Sequence, residues 1–231
     1  MTIMETSESA SVADDGYLRL RADIIFGRLP PSQRLRLEVL RQTYGLSVTT
    51  LREILNRLAS ERLVVAEGKK GFEVAPISVE NLKELADLRL ILESHAIERS
   101  FARADVEWEG RVVSAHHKLA ATEKLMQSQI GASEQWKQYD SEFHQALISN
   151  CGSATLMETH AAVFDRYFRY QMITFQFRDE APVRQHRELL DCALSCDAVR
   201  AKAILKEHVG DCVQHTIAHW PGRGSEGPGS R

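Results

Sequence analysis

Asp140, His144, His186 and His208 are the side chains of this 231-residue sequence best suited to hold a divalent cation. Asp140 and His144, in Asp140-Ser141-Glu142-Phe143-His144, are four apart, so on a helix both project from one face. His186 and His208 fall in two later helical segments. One carboxylate and three imidazoles meeting between helices suit zinc, nickel or manganese and leave coordination positions for solvent or a ligand. The residues alone leave other readings open: nine histidines are present, His215 and His219 are also four apart, and a single histidine is commonly just packed or solvated. An open metal centre can also activate water, but Glu142 is the nearest thing to a general base beside these ligands.

A second set of functional side chains lies between residues 35 and 76. Ser47 stands at a helix N-cap position, with Thr49, Thr50 and Arg52 pointing outward from the helix that follows. Hydroxyls and a guanidinium there can reach base edges or phosphates. Arg36, at the start of the preceding helix, is a further phosphate candidate. Lys69, Lys70 and Gly71 form a basic tip, where the glycine lets the main chain approach DNA closely.

The elements that would carry these residues follow from periodicity. Leu18, Ala22, Ile25 and Phe26 mark a first helix from Tyr17 to Phe26, ended by Gly27 and Pro30-Pro31. The turn Tyr44-Gly45-Leu46-Ser47 separates two short amphipathic helices, and Leu51, Ile54, Leu55 and Leu58 give the second its buried stripe. Leu63-Val64-Val65-Ala66 and Phe72-Glu73-Val74-Ala75 flank Gly68-Lys69-Lys70-Gly71 as a two-stranded wing. From Leu82 onward the pattern is helical, with a stripe at Leu82, Leu85, Leu88 and Leu92. Further helices are expected near 105–128, 133–150, 154–177, 180–196 and 198–219. The expected fold is mostly α: an N-terminal winged helix-turn-helix at 15–78, then an all-α antiparallel bundle at 82–219. Residues 1–14 and 220–231 are polar or rich in Gly, Pro and Ser and are expected to be disordered.

Composition is that of a globular protein, with 43% hydrophobic and 26% charged residues. The net charge of −3 is unevenly spread. Residues 17–80 carry eleven Lys or Arg against seven Asp or Glu, and the remainder carries 18 against 25. A basic front and an acidic back suit nucleic-acid contact at one end. No apolar run spans a membrane and no basic-then-apolar leader is present, so a cytoplasmic protein without membrane partners is expected. Cys151, Cys192, Cys196 and Cys212 lack metal or disulfide-scaffold spacing and read as reduced thiols.

The run LRADIIFGRLPPSQRLRLEVLRQTYGLSVTTLREILNRLASERLV resembles the DNA-binding domain of the GntR family of bacterial transcription regulators, including Leu51-Arg52-Glu53, Leu55, Leu58 and Gly71. Val48 departs from it, standing where many members carry a guanine-reading Arg. Residues 82–219 resemble the FCD effector domain of the FadR subfamily, through Leu88-Arg89 with Glu93, Asp140 with Phe143-His144, His186 ahead of Leu189-Leu190, and Ala203 with His208. Ser153 departs where a Gly-Asn pair is usual.

The resemblance implies a metal held by Asp140, His144, His186 and His208, with the cation helping to bind a small carboxylic acid and Arg89 and Arg169 as candidates for its second anionic group. Gly16-Tyr17, Asp23-Ile24-Ile25, Leu35-Arg36 and Glu61-Arg62-Leu63-Val64 are similar to the CsiR type, which implies a dicarboxylate such as glutarate. It further implies a homodimeric regulator, a repressor in the first instance, on an inverted-repeat operator. The competing expectations are a metal-dependent hydrolytic enzyme and an architectural DNA-binding protein with a vestigial sensor.

Overall fold

The computed structural model describes residues 4–66, 68, 71–128, 133–173 and 181–220. The chain divides into two compact units, Met1–Ser78 with Phe168–Ile173, and Val79–Tyr167 with Thr174–Arg231. No helix among the described residues is long and apolar enough to cross a membrane.

The first unit contains helices α1 (Met4–Ile25), α2 (Leu37–Tyr44) and α3 (Val48–Ser60), with strands β1 (Arg34–Leu35), β2 (Val64–Ala66) and β3 (Phe72–Val74). Helix α2 ends because Gly45 adopts φ +69°, a left-handed conformation that costs glycine least. Two residues later Ser47 starts α3 by accepting a hydrogen bond at Oγ from Thr50 N, at 3.1 Å. The turn between the two helices is therefore closed chemically at both ends. Leu51, Ile54, Leu55 and Leu58 bury one face of α3 against Leu20, Ile24, Leu40 and Leu63. Tyr17 OH and Arg21 Nε both donate to Glu61, at 2.5 and 2.8 Å, tying α1 to the end of α3.

Two expectations need correction here. The chain is helical from Met4, inside the segment expected to be disordered; that stretch has no apolar stripe, so periodicity could not reveal it. The wing is also part of a three-stranded sheet of order β1-β3-β2, with Arg34 opposite Glu73 and Leu35 opposite Phe72. A strand of two residues is too short to show a period of two.

The second unit is built from α4 (Val79–Phe101), α5 (Val106–Ser128), α6 (Ser133–Ile148), α7 (Ala154–Ile173, through Tyr167), α8 (Ala181–Leu194) and α9 (Ala198–Ala218). Trp108, Phe143, Phe164 and Tyr167 fill its centre, and Trp108 Nε1 donates to the Ala146 carbonyl at 3.0 Å. The buried stripe of α4 keeps Leu82 and Leu85 of the expected leucine row and then leaves it. Leu88 is exposed, and the stripe runs through Leu82, Leu85, Arg89, Glu93 and Ala96. Two opposite charges one turn apart pair inside the bundle, so beyond Leu85 a rule that puts leucines inward no longer finds the buried face. Cys151, Cys192 and Cys212 are buried free thiols, and Cys196 is exposed. The tail expected beyond residue 220 lies outside the described residues.

Candidate metal centre and nucleic-acid interface

On three helices of the second unit the core-facing stripe carries polar side chains. Helix α6 turns Asp140, Phe143, His144 and Leu147 inward. Helix α8 does the same with Gln185, His186 and Leu189, and α9 with Leu205, His208 and Val209. The result is a cluster in which one ligand atom from each of Asp140, His144, His186 and His208 lies within 4.8 Å of all the others. All four residues are buried, His144 and His186 completely.

The donor set fits a borderline divalent cation, and one atom makes the case directly. His186 Nε2 is buried, lies 3.3 Å from Asp140, and still has no hydrogen bond of acceptable geometry. An orphaned nitrogen facing a carboxylate and two other imidazoles is costly in a dry core unless a cation completes it.

Electrostatics follow from the same geometry. Burial acts to raise the Asp140 pKa, but the close approach of His186 and the nearby His144, His186 and Lys137 charges outweigh it and hold the carboxyl well below its usual range. Burial also opposes a charge on His186, yet the close approach of the Asp140 carboxylate and the hydrogen bond to Glu123 raise it to about 9. His144 and His208 are pushed down, first by burial; for His208 the neighbouring His186, His144 and Arg89 charges add to it. Glu93 accepts from His144 Nδ1, from Arg89 Nε at 2.9 Å and from His160 Nε2 at 3.2 Å. Although burial works against it, the charges and hydrogen bonds of those partners hold Glu93 ionised.

Of the two arginines singled out in the sequence, the fold brings Arg89 to this cluster. Its guanidinium is 4.4 Å from the Phe164 ring centroid, and Nη2 lies 3.1 and 3.3 Å from the two ring nitrogens of His144. Arg169 lies in the stretch that groups with the first unit, where Nη2 donates to the Ala75 carbonyl. Burial lowers its pKa to about 10. Glu142 is half-exposed, pairs with Lys118 Nζ at 2.5 Å and is not a member of the group of four. Glu93, Glu123, Gln185 and His160 were not assigned roles from sequence. Charged and amide residues on an otherwise apolar stripe were the available signal for Glu93 and Gln185.

In the first unit, Arg34, Arg36 and Arg52 line one groove together with Gly68, Gly71 and Phe72. Arg34 is an addition to the expected set, brought there by β1. Thr49 and Arg52 are exposed on the first turns of α3, and Val48, at the first helical position, is 37% exposed. Ser47 and Thr50 hydroxyls are 2.9 Å apart and serve the helix cap. Gly71 has φ +93° with open space where a Cβ would stand, so its conformation rather than crowding calls for glycine. Lys69 and Lys70 lie outside the described residues.

A helix-turn-helix with a basic groove at its wing, on a chain whose second unit gathers buried side chains that could hold a metal, is the architecture of a DNA-binding regulator. Comparison with known families places it: residues 13–74 match the model of bacterial regulatory proteins of the gntR family, and residues 84–211 match the FCD domain. The chain belongs to the GntR family and is a transcriptional regulator with an FCD domain.

It is 36% identical over 208 residues to a protein of Paraburkholderia xenovorans (strain LB400) named "Uncharacterized HTH-type transcriptional regulator BphR", covering 88% of this chain and 84% of that one. It is 33% identical over 202 residues to the "HTH-type transcriptional repressor GlaR" of Escherichia coli (strain K12), covering 84% and 91%. Among solved structures, a GntR regulator from Rhodococcus sp. RHA1 superposes with a TM-score of 0.74 at 23% identity, over 90% of this chain and 98% of that one, which shows the shared fold. Families and relatives alike are regulators, so the hydrolytic reading is set aside.

Proposed function

We propose that the protein is a homodimeric, cytoplasmic repressor whose grip on an inverted-repeat operator is set by a small carboxylic acid, a dicarboxylate such as glutarate, bound beside a divalent metal in the helical unit. The observation that carries this is the convergence of Asp140, His144, His186 and His208 within 4.8 Å in a buried setting with Arg89 against His144. The E. coli relative's description as a repressor supports the direction of control.

The four ligands would hold the cation, which supplies concentrated positive charge for an effector carboxylate. Arg89 supplies a second positive group, since its Nε is committed to Glu93 while the guanidinium fork carries further donors. On the DNA side, Arg34, Arg36 and Arg52 bind phosphates or base edges along one groove, and Thr49 adds a hydroxyl on the exposed turn of α3. Ser47 and Thr50 set the pitch of that turn, and Lys69, Lys70 and Gly71 follow the backbone at the wing. Linkage requires the effect to be mutual: whatever factor the acid takes from operator affinity, operator takes from acid affinity.

The test is fluorescence anisotropy of labelled DNA from upstream of the protein's own gene, titrated with protein and zinc in the presence of C3 to C6 mono- and dicarboxylates. Glutarate or a near relative is expected to weaken binding by a factor of about 5 to 150, and His144→Ala to abolish the response. Operator affinity indifferent to every acid, with metal loaded, would overturn the reading.

A further inference from the structure

Each of the three imidazoles in the cluster is held by a partner at one ring nitrogen, and each partner is a residue outside the group of four. His144 Nδ1 meets Glu93 Oε1, from α4. His186 Nδ1 is 2.8 Å from Glu123 Oε1, from α5. His208 Nδ1 is 3.0 Å from Gln185 Oε1, from α8. We infer that Glu93, Glu123 and Gln185 are positioning residues that fix all three imidazoles with Nδ1–H bonded outward and Nε2 turned toward Asp140, so the bundle aims three Nε2 atoms at one point before any cation arrives. This rests on the metal reading of the site and adds to it the residues that set its ligand geometry.

The direction of each proton is determined chemically. Glu93 is ion-paired with Arg89 and its other oxygen already accepts from Arg89 Nε at 2.9 Å and from His160 Nε2 at 3.2 Å, so at its contact with His144 it accepts and His144 donates from Nδ1. Arg89 Nη2 does not compete for His144 Nε2: an atom nearly equidistant from both nitrogens of one ring lies over the ring face, outside the plane of the lone pairs. The case of His208 runs through a longer chain. An amide partner is ambiguous by itself, because its oxygen and nitrogen can exchange places. Here Gln185 Nε2 lies 2.8 Å from Asp211 and 3.3 Å from Glu207, two carboxylates that cannot donate. They hold the amide nitrogen on the outside, which leaves Oε1 facing His208 and requires Nδ1 to carry the hydrogen. Two exposed acids on α9 thereby fix the protonation pattern of a buried ligand one turn away. Outer partners of this kind raise ligand basicity and stop ring rotation; losing one typically weakens metal binding by about 10 to 100-fold.

Nitrogen-15 NMR of the metal-free full chain reads the tautomers directly, and zinc competition against a chromogenic chelator reads affinity. His144 and His208 are expected as the Nδ1–H tautomer, the less common one in water. Gln185→Leu and Glu123→Leu are each expected to weaken zinc binding by about 10 to 100-fold, and Glu123→Gln, which keeps an accepting oxygen, to recover most of the loss. The double change Glu207→Gln with Asp211→Asn touches no imidazole and is the safer variant for folding, checked by circular dichroism. It is expected to give mixed His208 tautomers and at least about threefold weaker zinc binding. Zinc binding by the wild type with Nε2–H tautomers, or zinc affinity unmoved in all these folded variants, overturns the positioning role. Nδ1–H tautomers in a wild type that takes up no zinc would instead overturn the metal reading and leave the hydrogen-bond assignment standing.

Discussion

Arg89 and Glu93, one turn apart on α4, form an ion pair of 2.9 Å with both side chains fully enclosed. Burying two charges costs several kcal/mol, which the pair offsets through mutual attraction and through the His144 and His160 hydrogen bonds to Glu93.

Removing the guanidinium leaves the carboxylate without its permanently charged partner. Arg89→Ala is expected to destabilise the protein by about 3 to 5 kcal/mol in urea unfolding. The double variant Arg89→Met with Glu93→Leu should recover much of that loss. If the single variant is as stable as the wild type, the pair does not hold the bundle in the way its burial implies.

Metal removal should be visible as a loss of stability. At free zinc about 100 times its dissociation constant the loaded protein gains about 2.7 kcal/mol over the chelated one. The expected readout is an upward shift of the thermal midpoint with zinc, reversed by chelator and missing in Asp140→Asn and His208→Ala. A shift that survives both substitutions would place the cation elsewhere.

Acidity should act on the metal-free protein in two directions. His186, raised to about 9, stabilises the fold fully below its unfolded value near 6.5, and this contribution is lost as the pH rises through 9. Its size is on the order of 3 kcal/mol. His144 and His208 are held below 6.5, so they act the other way and remove stability as the pH falls. Unfolding free energies measured in chelator are therefore expected to peak near neutrality. Because zinc must displace the His186 proton, its apparent affinity should rise by roughly tenfold per pH unit from 7 to 9.

DNA binding separates the side chains of the first unit by role. Arg34→Ala and Arg36→Ala are expected to weaken all sequences alike and to lower the slope of log affinity against log salt by about 1 each. Arg52→Ala is expected to cost about 1 to 3 kcal/mol on the operator and to relax base preference beside it. Equal losses on operator and random DNA would reassign Arg52 to the backbone.

Ser47 offers a control, because its hydroxyl caps α3. Ser47→Ala should cost about 1 kcal/mol of stability and leave the salt slope unchanged. A lowered slope with unchanged stability would instead make Ser47 a phosphate contact.

Local pattern made much of this protein legible. The 3.6 period of Leu51, Ile54, Leu55 and Leu58, the Gly45 stop and the Ser47 cap are interactions within a few residues, so they are written consecutively and can be read that way. The four-residue spacing of Asp140 and His144 belongs to the same category, and the resemblance to FCD domains supplied His186 and His208 as their companions. What stayed out of reach depends on which helix lies beside which. Glu123 stands 63 positions from His186 and Glu93 stands 51 from His144, and no spacing along a chain encodes those pairings. The inward turn of Arg89, the pairing of Arg34 with Glu73 and the bond from Arg169 to the Ala75 carbonyl have the same origin. A charged side chain chooses its face of a helix by the partner it finds there, and only the folded chain brings that partner within reach.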